Sequence, residues 1–187
     1  MKSIMKRRNL IILIVLLLVI DQIVKIVVKT HMSLDEHIQV FGNWFYIRFI
    51  ENPGAAFGFE LGGNYGKLIL SLFRIVAVVF LFYYLNKLTK RSGVPVGTMI
   101  GLSLILAGAM GNIVDSMFYG MIFNESTFTT VATLFPEGGG YGTFLHGKVV
   151  DMFYFPIIRD AAGKVLFFSP VFNVADAYIS VGVIYLL

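Results

Sequence analysis

Polar residues recur at the ends of long apolar runs in this sequence, in pairs three or four apart: Asp21 with Lys25, Asn112 with Asp115, and Asn173 with Asp176. Residues at those spacings share one face of a helix. An ionisable group at mid-membrane costs about 2.5 to 3.5 kcal/mol on insertion scales, so each needs a reason to be there. Two more polar residues, Asn52 and Asp151, lie in segments between the runs. Converging carboxylates suit acid–base chemistry. Two of them a few ångströms apart cannot both ionise, so one keeps a proton while the other polarises a water. The chain has no cysteine, which removes thiolate nucleophiles, Cys-ligated metals and disulfides. Whatever chemistry is done uses oxygen and nitrogen groups.

Other chemistries fit less well. His31, His37 and His146 have no partner at i,i+3 or i,i+4 that would make a convincing metal site, so none is expected. The nearest pairing, His31 with Asp35, falls in a polar loop. A serine–lysine dyad would need Ser116 beside Lys25 or Lys148, and nothing in the sequence orders them. The run Glu137 to Gly142 lacks the Gly-Lys-Ser/Thr of a phosphate loop. Bland readings stay open for the polar pairs. Asp21 with Lys25 reads most simply as a self-neutralising ion pair. Asn112 and Asp115 read also as an interhelical hydrogen bond, and Asp176 as a carboxylate favoured by a helix N-terminus. Arg74 reads as a snorkelling or paired cation.

The elements that must position these groups follow from composition. The 187 residues are 57% apolar and only 14% charged, about half the charge of a soluble domain. Runs long enough to cross a bilayer of about 20 residues lie at about 9–28, 68–85, 94–119 and 172–187, the last one short. Basic residues flank the first run (Lys2, Lys6, Arg7, Arg8) and the loop after the second (Lys87, Lys90, Arg91), which predicts both as cytoplasmic. Both termini then lie inside, with segments 29–67 and 120–171 outside. A cleaved leader is disfavoured because the first run continues through Asp21 and Lys25 to VVKTHM. Ile38 to Ile50 predicts a hairpin turning at Gly42-Asn43, and Val149–Phe155 and Val165–Phe168 predict further strands. The expectation is an all-α membrane protein of four transmembrane helices with a small extracytoplasmic β-sheet cap, forming one domain over 1–187. At 1.5 Å per residue, the polar groups of spans one, three and four meet at one level, the outer interface.

Taken in order, the motifs Asp21-Gln-x-x-Lys25, Asn52-Pro-Gly-Ala-Ala-Phe57, Gly108-Ala-Met-Gly-Asn112-x-x-Asp115, Val150-Asp151-Met-Phe153 and Phe172-Asn173-Val-Ala-Asp176 resemble those of the lipoprotein signal peptidases, the type II signal peptidases of bacteria. The resemblance runs from Asp21 to Ile179. It implies an aspartyl endopeptidase of the bacterial inner membrane that cuts the signal peptide from a diacylglyceryl-modified prolipoprotein. It also implies Asp151 and Asp176 as the catalytic pair, with Asn52, Gly54, Asn112, Asp115 and Asn173 lining the site and Asp21 and Lys25 structural. No metal or cofactor is implied. Expected partners are the lipid-modified substrate and membrane lipids, not nucleic acid, and the expected state is a monomer. Phe41, Trp44, Phe45, Tyr46 and Phe49 are expected as an aromatic rim beneath the substrate lipid.

Two features depart from the family pattern. Ser116 stands where an Arg is usual, leaving Arg48, Arg74 or Lys148 to supply a cation. Met121 to Leu145 and Pro156 to Pro170 are longer than the compact pattern requires. A proton-coupled transporter using intramembrane carboxylates is the alternative from another class, although the inner halves of the spans hold almost no acidic groups. A third reading is a non-catalytic assembly or lipid-binding protein.

Overall fold

The computed structural model describes residues 7–53, 63–160, 165–167 and 170–187. The N-terminal run, free of Pro and Gly, forms α1 (Arg7–His31). Asp21, Lys25 and Lys29 on one of its faces are fully buried, while Ile12, Leu16, Val19 and Ile23 are exposed. That inverted pattern suits a helix whose surroundings are hydrocarbon. The other helices are α2 (Gly63–Leu88), α3 (Val96–Val114) and, after a π-helical turn at Asp115–Tyr119, the short α4 (Gly120–Ile122). The chain closes with α5 (Val174–Leu186).

Among the described residues, three helices have the length and apolar character to cross a membrane: Arg7–His31, Ser71–Leu88 and Val96–Ile122. The fourth run yields a shorter helix than its 172–187 bounds predict. Phe172 is in a strand and Asn173 is the cap, so α5 has 13 residues, about 20 Å at 1.5 Å per residue. The third helix begins at Val96 because Pro95 holds an extended backbone before it (φ −58°, ψ 138°). α5 packs closely on α3 through small residues, the usual basis of helix contact in lipid. A Cβ added to Gly108 would lie 2.3 Å from the Ala175 carbonyl oxygen, so only glycine permits this approach.

The strands are β1 (His37–Phe41), β2 (Phe45–Asn52), β3 (Val149–Tyr154), β4 (Ile158–Arg159), β5 (Val165–Phe167) and β6 (Val171–Phe172). The predicted hairpin is present as β1–β2, turning at Gly42 with φ +44°. An antiparallel sheet runs β1-β2-β3-β6, and β4–β5 form a separate pair. Asp151 faces Ile50 across β2–β3, and Phe153 faces Phe172 across β3–β6. The same sheet therefore carries Asp151 and, through β6, launches α5. Beneath it, Val28, Met32, Phe49, Tyr119, Phe123, Val150 and Met152 form a core against the end of α1. The long stretch after α4 folds back on the helix, with Gly142 N donating to Gly120 O (2.7 Å) and Gly147 N to Ser116 O (2.9 Å).

Candidate active site

The site begins with α1. Asp21 accepts from Ala175 N (2.9 Å), an amide in the first turn of α5 with no partner inside that helix. Asn173 caps α5, its Oδ1 accepting from Asp176 N (2.9 Å) while Asp176 Oδ2 accepts from Asn173 N (3.3 Å). This capping box fixes the Asp176 carboxylate. One turn further along α1, Lys25 Nζ contacts Asp21 Oδ2 at 3.1 Å and Asp115 Oδ2 at 2.8 Å, and donates to Asn112 Oδ1 (2.8 Å). Asp115 Oδ2 also accepts from Val150 N (3.2 Å), which fixes β3 next to Asp151.

Two asparagines connect the carboxylates. Asn112 Nδ2 donates to Asp176 Oδ1 (2.8 Å), and Asn173 Nδ2 donates both to Asn112 Oδ1 (3.1 Å) and to Asp151 Oδ1 (2.6 Å). Asp151, from a strand, and Asp176, from a helix, thus belong to one hydrogen-bonded chain. Asp151 is 5% exposed, and Asp176 is half-buried. Burial, and then the charge of Asp176, push the Asp151 carboxyl up to about 7, against the Asn173 hydrogen bond and Lys25. A buried carboxyl raised in this way next to a second carboxylate can serve as a proton donor in one site.

Asp21, Lys25, Asn112, Asp115, Asp151, Asn173 and Asp176 are thus gathered in one cluster. Asn52 ends β2 opposite Val149 in the register, two residues from Asp151. Gly54 lies outside the described residues. The structure corrects several expectations. Asp21 and Lys25 do not neutralise each other in isolation, because Asp115 makes the group a three-charge cluster. Arg48 pairs instead with Asp35, and Lys148 with Glu51 and Glu125. The cation at Asp115 is Lys25, while Arg74 feels the charges of Asp176, Asp151 and Asp115 from α2. Ser116 donates to Asn112 O (3.0 Å), as a helix-bending serine does, and takes no part in a lysine dyad. In the aromatic rim, Phe49 is fully buried in the core, and Tyr46 turns to the other face with His37, Arg48 and Tyr154. The stacked set is Phe41, Trp44 and Phe45 with Phe153, Phe155 and Phe172.

Three contributors were not singled out from sequence. Gln22 Nε2 donates to Asp21, Asp115 and the Gly111 carbonyl at 3.0 to 3.3 Å, and Tyr119 donates to Gln22 Oε1 (3.1 Å). The π-helical turn that sets Tyr119 leaves no mark in the residue pattern. Lys29 was legible, since it continues the spacing of Asp21 and Lys25 by one more turn.

The same fold occurs in two solved bacterial membrane enzymes. One has a TM-score of 0.66 at 24% identity, covering 96% of this chain and 90% of the other, and the second 0.61 at 23%, covering 96% and 85%. Fold and cluster define a helical protein with helices of membrane-spanning length and two carboxylates joined through asparagines. The family model of signal peptidase (SPase) II matches residues 13–187. A lipoprotein signal peptidase of Porphyromonas gingivalis is 53% identical over 184 residues, 94% of this chain and 79% of that protein. Another from Amoebophilus asiaticus is 34% identical over 178 residues, 90% and 71% respectively. The chain belongs to the signal peptidase II family, whose members are aspartyl peptidases. The transporter alternative finds no support.

Proposed function

We propose that this chain removes the signal peptide from diacylglyceryl-modified prolipoproteins, with Asp151 and Asp176 as the catalytic dyad. The observation that carries the reading is the unbroken hydrogen-bonded chain Asp151–Asn173–Asn112–Asp176 between a strand and a helix start. In the proposed cycle the ionised member of the pair takes a proton from water as that water attacks the scissile carbonyl, while the other, carrying the shared proton, donates to the carbonyl oxygen. Collapse of the tetrahedral intermediate then transfers a proton to the leaving amine and resets the pair. The apparent pKa values belong to the dyad as a unit. Asn112 and Asn173 hold both carboxylates by side-chain hydrogen bonds, and Asn52, at the end of β2, holds substrate backbone, while the fully buried Asp115 acts on the site through Lys25 and β3.

The topology that suits this activity has four spans in a single domain, with α5 as the fourth, short one. Both termini lie in the cytoplasm, the sheet sits at the outer surface, and the protein works as a monomer among membrane lipids. The exposed Phe41 and Trp44, with the other rings of their stack on the Asp151 side of the sheet, suit contact with lipid or with the acylated cysteine. The test is to incubate the purified protein with a diacylglyceryl-modified prolipoprotein peptide and read products by mass. Cleavage at the bond preceding the lipidated cysteine is expected; an intact peptide at long times rejects the assignment.

A further inference from the structure

α1 carries three fully buried charges at i, i+4 and i+8, and the mechanism above draws on two. Asp21 anchors α5 and Lys25 anchors β3 through Asp115, whereas Lys29 turns to β2 and forms a salt bridge with Glu51. Glu51 faces Val150 in the register and directly precedes Asn52. Lys29 Nζ also donates to Ser126 Oγ (2.9 Å), and Ser126 Oγ in turn donates to Glu51 Oε1 (3.1 Å). Lys148 Nζ lies 3.1 Å from the other Glu51 oxygen. Around the ammonium stand the rings of Phe49, Phe123 and Tyr141, at 5.8, 5.2 and 5.2 Å to their centroids, an arrangement that attracts a desolvated cation.

Phe123, Ser126, Tyr141 and Lys148 come from the long stretch after α4 or its immediate edge. That stretch has no evident task in a compact peptidase, yet three of its side chains, with Lys148 just beyond it, converge on one ion pair. A buried charge with a single partner is poorly compensated; here hydrogen bonds and rings complete the shell. Breaking one member leaves a charge without water, so β2 is held firmly where it enters the site.

We propose that Lys29 is a positioning residue. With Ser126 and Lys148 it clamps Glu51, so that Asn52 and the end of β2 hold the substrate backbone in register with Asp151. The inference rests on the peptidase reading above. It gives the long stretch a role as a built-in latch over the substrate strand, distinct from the chemistry of the dyad.

Steady-state cleavage of a diacylglyceryl-modified peptide by the purified protein tests this. Lys29→Met is expected to raise KM about tenfold with kcat and its pH profile unchanged, the signature of lost uniform binding of the substrate backbone. Ser126→Ala keeps every charge and should raise KM by less, which decides the matter if Lys29→Met does not fold. In Lys29→Met/Glu51→Met no charge is stranded, so the melting temperature should recover while KM stays high, because Ser126 and Lys148 have lost their carboxylate. A wild-type KM in the folded variants, or a loss confined to kcat, overturns the positioning role and leaves the peptidase assignment intact. Wild-type protein that fails to cleave the peptide removes both.

Discussion

Replacing Asp151 by Asn should make the protein more stable while removing its activity, and the effect should depend on pH in a definite sense. Burial, and then Asp176, raise the Asp151 carboxyl from 3.8 to about 7. Between those values the native state holds a proton that the unfolded chain has released, so stability falls as pH rises through the window and levels off above it. The gap corresponds to roughly 4 kcal/mol at 1.36 kcal/mol per pH unit. Asn cannot ionise, yet its Oδ1 still accepts from Asn173 Nδ2, as the carboxylate does now. The variant should match wild type near pH 4 and exceed it at pH 8 by on the order of 4 kcal/mol, or roughly 10 °C in melting midpoint at 2 to 4 °C per kcal/mol. Trp44, in the β1–β2 turn, is the single tryptophan and stacks on Phe155 just after β3. Its fluorescence during heating, in detergent at a series of pH values, is the assay. Equal pH slopes in the two proteins, or a variant less stable than wild type at pH 8, would refute the reasoning.

Lys25→Met strands Asp21 and Asp115 around an absent cation and should cost about 3 to 5 kcal/mol, measured as a fall in melting midpoint; an unchanged midpoint counts against the cluster as a keystone. Gly108→Ala places a Cβ 2.3 Å from the Ala175 carbonyl and 2.8 Å from Ile179 Cγ1, so α5 must shift at a cost of about 1 to 3 kcal/mol. Because α5 carries Asp176, kcat should fall too, whereas Gly138→Ala, with nothing within 4 Å of the new Cβ, should leave both unchanged. Arg74→Gln withdraws a positive charge that acts on Asp176 and Asp151; the acidic limb of the pH–rate profile should move up by less than about one unit, and a downward move would show that Arg74 does not act through its charge.

Much of the site was legible because membrane insertion is strict about charge. Asp21, Lys25, Asn112, Asp115, Asn173 and Asp176 stood out against apolar runs, and helical spacing put each pair on one face. The hairpin followed from β-branched and aromatic residues around Gly42-Asn43, and β3 from Val149 to Tyr154. What stayed hidden depends on contacts distant in sequence. The length of α5 turns on β6 pairing with β3, which takes Phe172 out of the helix. Tyr119 reaches Gln22 only because the helix widens into a π turn. Phe49 and Tyr46 both looked like rim residues; strand alternation turns Tyr46 away from Phe45 toward Tyr154, and the irregular pairing between Ile47 and Ile50 puts Phe49 in the core with Val150 and Met152. Lys25 as the partner of Asp115 required knowing that α1 and α3 are neighbours.

The most direct test of the central claim, two carboxyls acting as one unit, is a comparison of cleavage rates for Asp151→Asn, Asp176→Asn and the double variant on the lipidated peptide, each protein first shown to be folded. Groups that act together are non-additive. Each single variant should fall to background and the double variant should be no worse. A single variant cleaving at the wild-type rate, or losses that multiply in the double, would contradict the shared dyad.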